Sequence, residues 1–152
     1  MLEKNDPSRV AAEALDRISE ALGDKVTITA SSQVINELVK HEDWKFRQAG
    51  FLFLAMISAT CSKTIRKNMD EIFTMNFNGL LDQHPRVRYQ ALMSIGLIMN
   101  ELSPDFQNKF HLILMPQMFK MMHEESFIKL KAQVVSTTCC FVRGLTDFED
   151  EE

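Results

Sequence analysis

The sequence predicts an all-α protein built as a row of stacked helix pairs, and three observations carry that prediction. Apolar residues recur at helical spacing along the chain, with Val26 to Thr29 the only short β-favouring stretch. Short turns join the segments, at Gly23-Asp24, His41-Glu42, Cys61-Ser62, Asp82-Gln83, Ser103-Pro104 and Glu124-Glu125. A basic, apolar, basic triplet returns as Lys45-Phe46-Arg47, Arg86-Val87-Arg88 and Lys129-Leu130-Lys131, at offsets of 41 and 43 residues, each time opening a long apolar helix.

A period near 40 with two helices per unit is the signature of a HEAT-type α-solenoid, in which each unit buries its apolar face only against its neighbours. Helices are expected over 7–22, 30–40, 43–60, 63–81, 84–101, 105–122 and 126–143. They group as pairs within 7–40, 43–81 and 84–122 plus an unpaired helix, giving a right-handed superhelix of about three and a half repeats.

The first helix has Asp6 as N-cap, Pro7 in its first turn, Ala11, Leu15, Ile18 and Leu22 on one stripe, and Gly23 just past its end. On the second, Asn36 and Glu37 are polar positions open to solvent. In the third, Phe51, Leu52, Phe53, Leu54, Met56 and Ile57 are apolar nearly all round, as suits a helix sandwiched between repeats. In the fourth, Ile65, Met69, Ile72, Phe77 and Leu80 form a buried stripe, leaving Asp70, Glu71, Thr74 and Asn78 toward solvent. Asp82, six residues ahead of Arg88, can set its carboxylate beside that guanidinium and link adjacent units, with Arg47 at the matching position one repeat earlier. The bland alternative is a solvated pair contributing roughly 0–1 kcal/mol.

Pro116 removes a hydrogen bond from the sixth helix, so a break is expected near Leu114 to Met115. The methionines of this stretch, Met115, Met118, Met121 and Met122, read as core at helical spacing, with an adaptable binding groove as the other reading. A last helix without a partner would expose Val134, Val135, Cys139 and Phe141 and drive self-association. An acidic tail over 146–152 ends the chain.

Composition narrows the function. The 152 residues are 45% hydrophobic and 25% charged, enough for a sizeable core without disulfides or metal. The longest apolar run, Ala49 to Ile57, is far short of the 18 or more residues a membrane span needs, and no membrane partner is expected. Net charge is −4, but five acids sit in the last six residues, so the rest carries +1, which argues against a nucleic-acid binder. Three cysteines, two of them adjacent (Cys139 and Cys140), make a poor disulfide framework and suit a reducing compartment. No phosphate loop or nucleophile elbow is present, and His41, His84, His111 and His123 lack metal-ligand spacing. Asp70-Glu71 is not an acid–base pair, because neighbouring helical residues do not face each other. No catalytic residue, cofactor or metal is expected.

Three stretches carry a family resemblance. They are Glu42-Asp43-Trp44-Lys45-Phe46-Arg47-Gln48-Ala49-Gly50, Asp82-Gln83-His84-Pro85-Arg86-Val87-Arg88-Tyr89 and Phe106-Gln107-Asn108-Lys109-Phe110-His111. With Ala14-Leu15-Asp16-Arg17 through Leu22-Gly23 before them, they resemble the middle HEAT repeats of the importin-beta (karyopherin-beta) superfamily, nearest to its beta-three branch. The resemblance covers about residues 10 to 135. Members of that family are superhelices of about twenty repeats, so it implies a segment of a longer receptor.

What the resemblance implies is nuclear import, with shuttling between cytoplasm and nucleus. Cargo proteins with basic localisation signals would bind the concave face formed by the second helix of each pair, with Asn36, Glu37, Asp70, Glu71, Thr74 and Asn78 as contacts. Phe-Gly nucleoporins would be taken between outer helices, and the Ran GTPase would act through repeats absent from this segment. The rival is a HEAT scaffold that binds proteins without transport; composition and periodicity do not separate the two.

Overall fold

The computed structural model describes residues 7–146, so the expected N-cap Asp6 and nearly all of the acidic tail lie outside the described residues. Eight helices follow in order among the described residues: α1 (Pro7–Leu22), α2 (Asp24–Leu38), α3 (Trp44–Ile57), α4 (Ser62–Lys67), α5 (Met69–Leu80), α6 (Pro85–Leu102), α7 (Asp105–Glu124) and α8 (Ile128–Thr146). No strand occurs among those residues. Helices α1, α3, α6 and α8 pack side by side, while α2 lies on α3, α5 on α6 and α7 on α8. This is the HEAT-type α-solenoid.

Local chemistry sets the helix ends. Gly23 takes φ 75, a left-handed conformation that costs glycine nothing, and turns the chain from α1 into α2. Asp43 caps α3 by accepting from the Lys45 N–H at 2.9 Å, and the His84 ring caps α6 by accepting from the Arg86 N–H, with Pro85 at the first helical position.

Three expected boundaries are corrected. α2 begins at Asp24, not near residue 30, so Val26 to Thr29 is helical. Here Thr29 and Ser31 hydroxyls bond back to the Lys25 and Thr27 carbonyls, Thr27 reaches the Ser19 carbonyl of α1, and Ile35 is buried. Packing outweighs a β propensity of this size. The helix expected over 63–81 is divided at Asn68 (φ −111, ψ 30), whose side-chain amide donates to the Thr64 carbonyl while its N–H serves the Thr64 and Ile65 carbonyls. Conversely, α7 runs unbroken through Pro116. That proline is exposed, and the carbonyl deprived of its donor belongs to Leu112, whose side chain is 79% exposed. Water can satisfy this carbonyl.

The core runs the length of the array. Phe51, Leu54 and Ile57 of α3 are buried, as are Leu92, Ile95, Ile98 and Met99 of α6, and Leu52, Phe53 and Met56 are half-buried, as expected of a sandwiched helix. Phe73 of α5 stacks on Phe110 of α7 at 3.8 Å, with Phe106 edge-on to both. Met118 and Met121 lie in the core, with Met115 and Met122 packed against it. The last helix also differs from expectation: Val134 and Phe141 are fully buried where α8 lies on α6 and α7, and Val135 and Cys139 remain exposed. Half of the apolar stripe that was to drive self-association is spent inside the array.

Candidate functional site

The turns between repeats repeat one ionic design. Arg47 of α3 donates from Nε and Nη2 to the two carboxylate oxygens of Asp82 at 2.7 and 2.9 Å, a bidentate pair. Its Nη1 donates to the His41 and Glu42 carbonyls of its own preceding turn. Arg88 of α6 takes the same place one repeat on, donating from Nε and Nη2 to a single Glu125 carboxylate oxygen, Oε2, at 2.9 and 2.6 Å and from Nη1 to the Asp82 and Gln83 carbonyls. The side-chain pair expected between Asp82 and Arg88 is therefore replaced: Arg88 touches only the Asp82 carbonyl, and each arginine reaches forward to the next repeat's acid. Each guanidinium thus bridges the carbonyls of its own preceding turn and the acid of the next repeat's turn.

Burial alone would raise the Asp82 and Glu125 carboxyls. For Asp82, the Arg47 hydrogen bond, the His84 N–H and the charges of both residues overcome burial; for Glu125, the Phe127 N–H, Arg88 and the Ser126 N–H do so. Both are held below the usual carboxylate range.

A groove of about 540 Å³ opens between α2 and α5. It is lined by five of the six residues singled out from the sequence: Asn36, Asp70, Glu71, Thr74 and Asn78. On α5 the positions 70, 74 and 78 follow each other by one helical turn and so share a face. Glu37 is not in the groove wall and accepts a hydrogen bond from Gln33 on its own helix. The Thr74 hydroxyl turns back to the Asp70 carbonyl. A smaller cavity of about 100 Å³ continues from it, sharing Asn36, Glu71 and Met75.

Three carboxylates, Asp70, Glu71 and Asp82, line the groove against one cation, Lys40. Asp70 is bridged by Lys109 of α7 at 2.7 Å, and Asp82 is occupied by Arg47. Glu71 makes no ion pair among the described residues, so it is the acceptor most open to an incoming cation. Val39, Phe51 and Met75 supply apolar wall. Sequence reasoning missed this apolar wall and the part played by Lys109. A signal for the latter existed: Lys109 and Asp70 stand 39 residues apart, as do Arg66 and Asp105, which also pair. Opposite charges one repeat apart are candidates for such bridges. Among the described residues no cluster of three or more His, Cys, Asp or Glu could hold a metal ion, and no helix is long and apolar enough to cross a membrane.

Stacked helix pairs, a forward-reaching arginine ladder and a polar groove along the second helices define a HEAT-repeat protein. No protein-family model matches the chain. Several curated relatives do, among them two importins. Importin subunit beta-3 of Saccharomyces cerevisiae is 23% identical over 131 residues, 86% of this chain and 12% of the relative. A probable importin subunit beta-4 of Schizosaccharomyces pombe is 23% identical over 148 residues, 97% of this chain and 14% of the relative. Among solved structures, Kap121p bound to Nup53p and Kap121p bound to Pho4p each superpose with TM-score 0.82 at 22% identity, covering 91% of this chain and 14% of theirs. The chain is thus similar in sequence to importin-beta (karyopherin-beta) proteins and shares the solenoid fold of Kap121p, and it spans about an eighth of the length of the curated relatives it matches.

Proposed function

We propose that this chain is a cargo-recognising segment of a nuclear import receptor, and that the groove between α2 and α5 takes a basic localisation segment. The observation that carries this reading is the groove wall itself: Asn36, Asp70, Glu71, Thr74 and Asn78 on consecutive second helices, with Glu71 uncompensated. An extended Lys-rich peptide needs such carboxylate and amide acceptors beside apolar wall for its side-chain stems. Kap121p, a structural neighbour, has been solved with Nup53p, Pho4p, Ste12p and Ulp1p, which supports a binding role over chemistry. In this reading the receptor shuttles between cytoplasm and nucleus, takes Phe-Gly nucleoporins between outer helices, and releases cargo when Ran in its GTP state binds repeats other than these.

Binding of a fluorescent Lys-rich peptide to the full chain tests it. We expect a dissociation constant of roughly tens of micromolar or weaker, rising steeply as salt shortens the Debye length from about 10 Å at 0.1 M to about 3 Å at 1 M. Replacing Asp70 and Glu71 by Lys should weaken binding more than the same change at Glu149 and Asp150 in the tail. Equal or larger loss from the tail change, or indifference to salt, overturns the groove assignment.

A further inference from the structure

A second groove, of about 230 Å³, lies where α3, α6 and α8 come together, and its character is opposite to the first. Its wall is Gln48, Arg86, Tyr89, Phe127 and Lys129. Acids outnumber bases in this chain by 21 to 17, yet none of the five wall residues is acidic. Every polar side chain there offers a donor: a guanidinium, an ammonium, an amide and a phenol.

Neither cation is held by a carboxylate among the described residues. Among the described residues Arg86 and Lys129 make no ion pair, whereas Arg88, two residues on, and Arg47, one repeat earlier, each pair with a carboxylate. Both also sit in the first turn of a helix, α6 and α8, where the exposed amides already carry positive potential and a cation is disfavoured. Two exposed cations without a carboxylate partner, set beside that potential, favour an incoming anion. Arg86 is moreover steadied, its guanidinium lying 5.6 Å from the centre of the Trp44 ring, which in turn stacks on His84 at 3.9 Å.

We propose that this groove docks a phosphorylated peptide segment of a protein partner. A phosphoryl group carries about −1.5 to −2 charge and three acceptor oxygens, matching two cations with two further donors, whereas a carboxylate brings one charge and two oxygens. Arginine is suited to bidentate grip of phosphate. Tyr89 and Phe127, both half-buried, offer apolar wall to the residue beside the phosphorylated one. A nucleic acid is the lesser fit, because the chain as a whole carries a net charge of −4. The proposal is independent of the α2–α5 groove, which lies on the second helices.

The test is fluorescence anisotropy on the full chain with a nine-residue peptide carrying phosphoserine beside leucine, its unphosphorylated twin, and a single-stranded uridine oligonucleotide. The phosphopeptide should bind at least tenfold more tightly than the twin, with Arg86→Gln and Lys129→Gln each weakening it about 5–10-fold. Lys63→Gln, an exposed lysine on α4, should change nothing. These are surface changes, and unaltered thermal midpoints check that the fold is kept. Less than a twofold effect of phosphorylation overturns the proposal, as does loss on Lys63→Gln equal to that on Arg86→Gln. Tighter binding of the oligonucleotide than of the phosphopeptide, lost on Arg86→Gln, assigns the groove to nucleic acid instead. Lys-rich peptide binding should be unmoved by Arg86→Gln, which separates failure here from failure of the cargo groove.

Discussion

Removing the Asp82 carboxylate should loosen the joint between two repeats by an amount the geometry sets. In Asp82→Ala the Arg47 guanidinium loses two charge-assisted hydrogen bonds at 2.7 and 2.9 Å, and the His84 N–H loses an acceptor at 2.8 Å. Breaking a fully buried pair costs about 3–5 kcal/mol because a charge is stranded, and an exposed pair contributes about 0–1 kcal/mol. This pair lies between, with side chains 19% and 13% exposed, and Arg47 keeps its bonds to the His41 and Glu42 carbonyls. We expect a loss of about 2–3 kcal/mol, equivalent to roughly 5–10 °C in thermal midpoint for a chain of this size. The assay is a double-mutant cycle by denaturant titration, comparing Asp82→Ala with Arg47→Ala and with Arg88→Ala. Coupling of Asp82 to Arg47 should exceed its coupling to Arg88, which meets only the backbone carbonyl. Coupling to Arg88 that equals or exceeds coupling to Arg47 refutes the forward-reaching ladder, and an unchanged midpoint and slope return the pair to a solvated surface contact.

Three further outcomes follow from the same packing. Asp82 and Glu125 are held below the usual carboxylate range, so their contribution is whole above the unfolded-state value of about 4 and is lost as pH falls through the lower folded-state values; thermal melts should drop steeply below about pH 4, less so in Asp82→Asn with Glu125→Gln. Gly79→Ala should destabilise by about 1–3 kcal/mol, since its new methyl meets the Phe51 ring and, at 2.6 Å, the Ala91 methyl, whereas Gly96→Ala, with Thr137 no nearer than 3.9 Å, should stabilise by about 0.5–1 kcal/mol; equal shifts in denaturation midpoint would contradict the packing described. Pro116→Ala restores the missing donor to the Leu112 carbonyl in an unbroken helix and should raise stability by about 1–3 kcal/mol, and a lowered midpoint would mean that α7 depends on the proline.

The helical class, the repeat near 40 residues and the polar face of α5 were legible in the sequence because each depends on local periodicity. Phe51, Leu54 and Ile57 mark a helix covered on several sides, and Asp70, Thr74 and Asn78 mark its successor's open face, with no knowledge of neighbours required. Tertiary structure alone decided what depends on neighbours. Whether Asp82 meets Arg47 or Arg88 is set by the register between stacked units, to which the apolar pattern is indifferent because either register buries the same stripes. Whether Val26 to Thr29 joins α2 was decided by the contact of α2 with α1 and α3, and whether Pro116 breaks α7 by the exposure of the carbonyl it leaves without a donor. The two grooves belong to the same class: Asn36 joins α5, and Arg86 joins Lys129, only when helices distant in the chain are laid side by side.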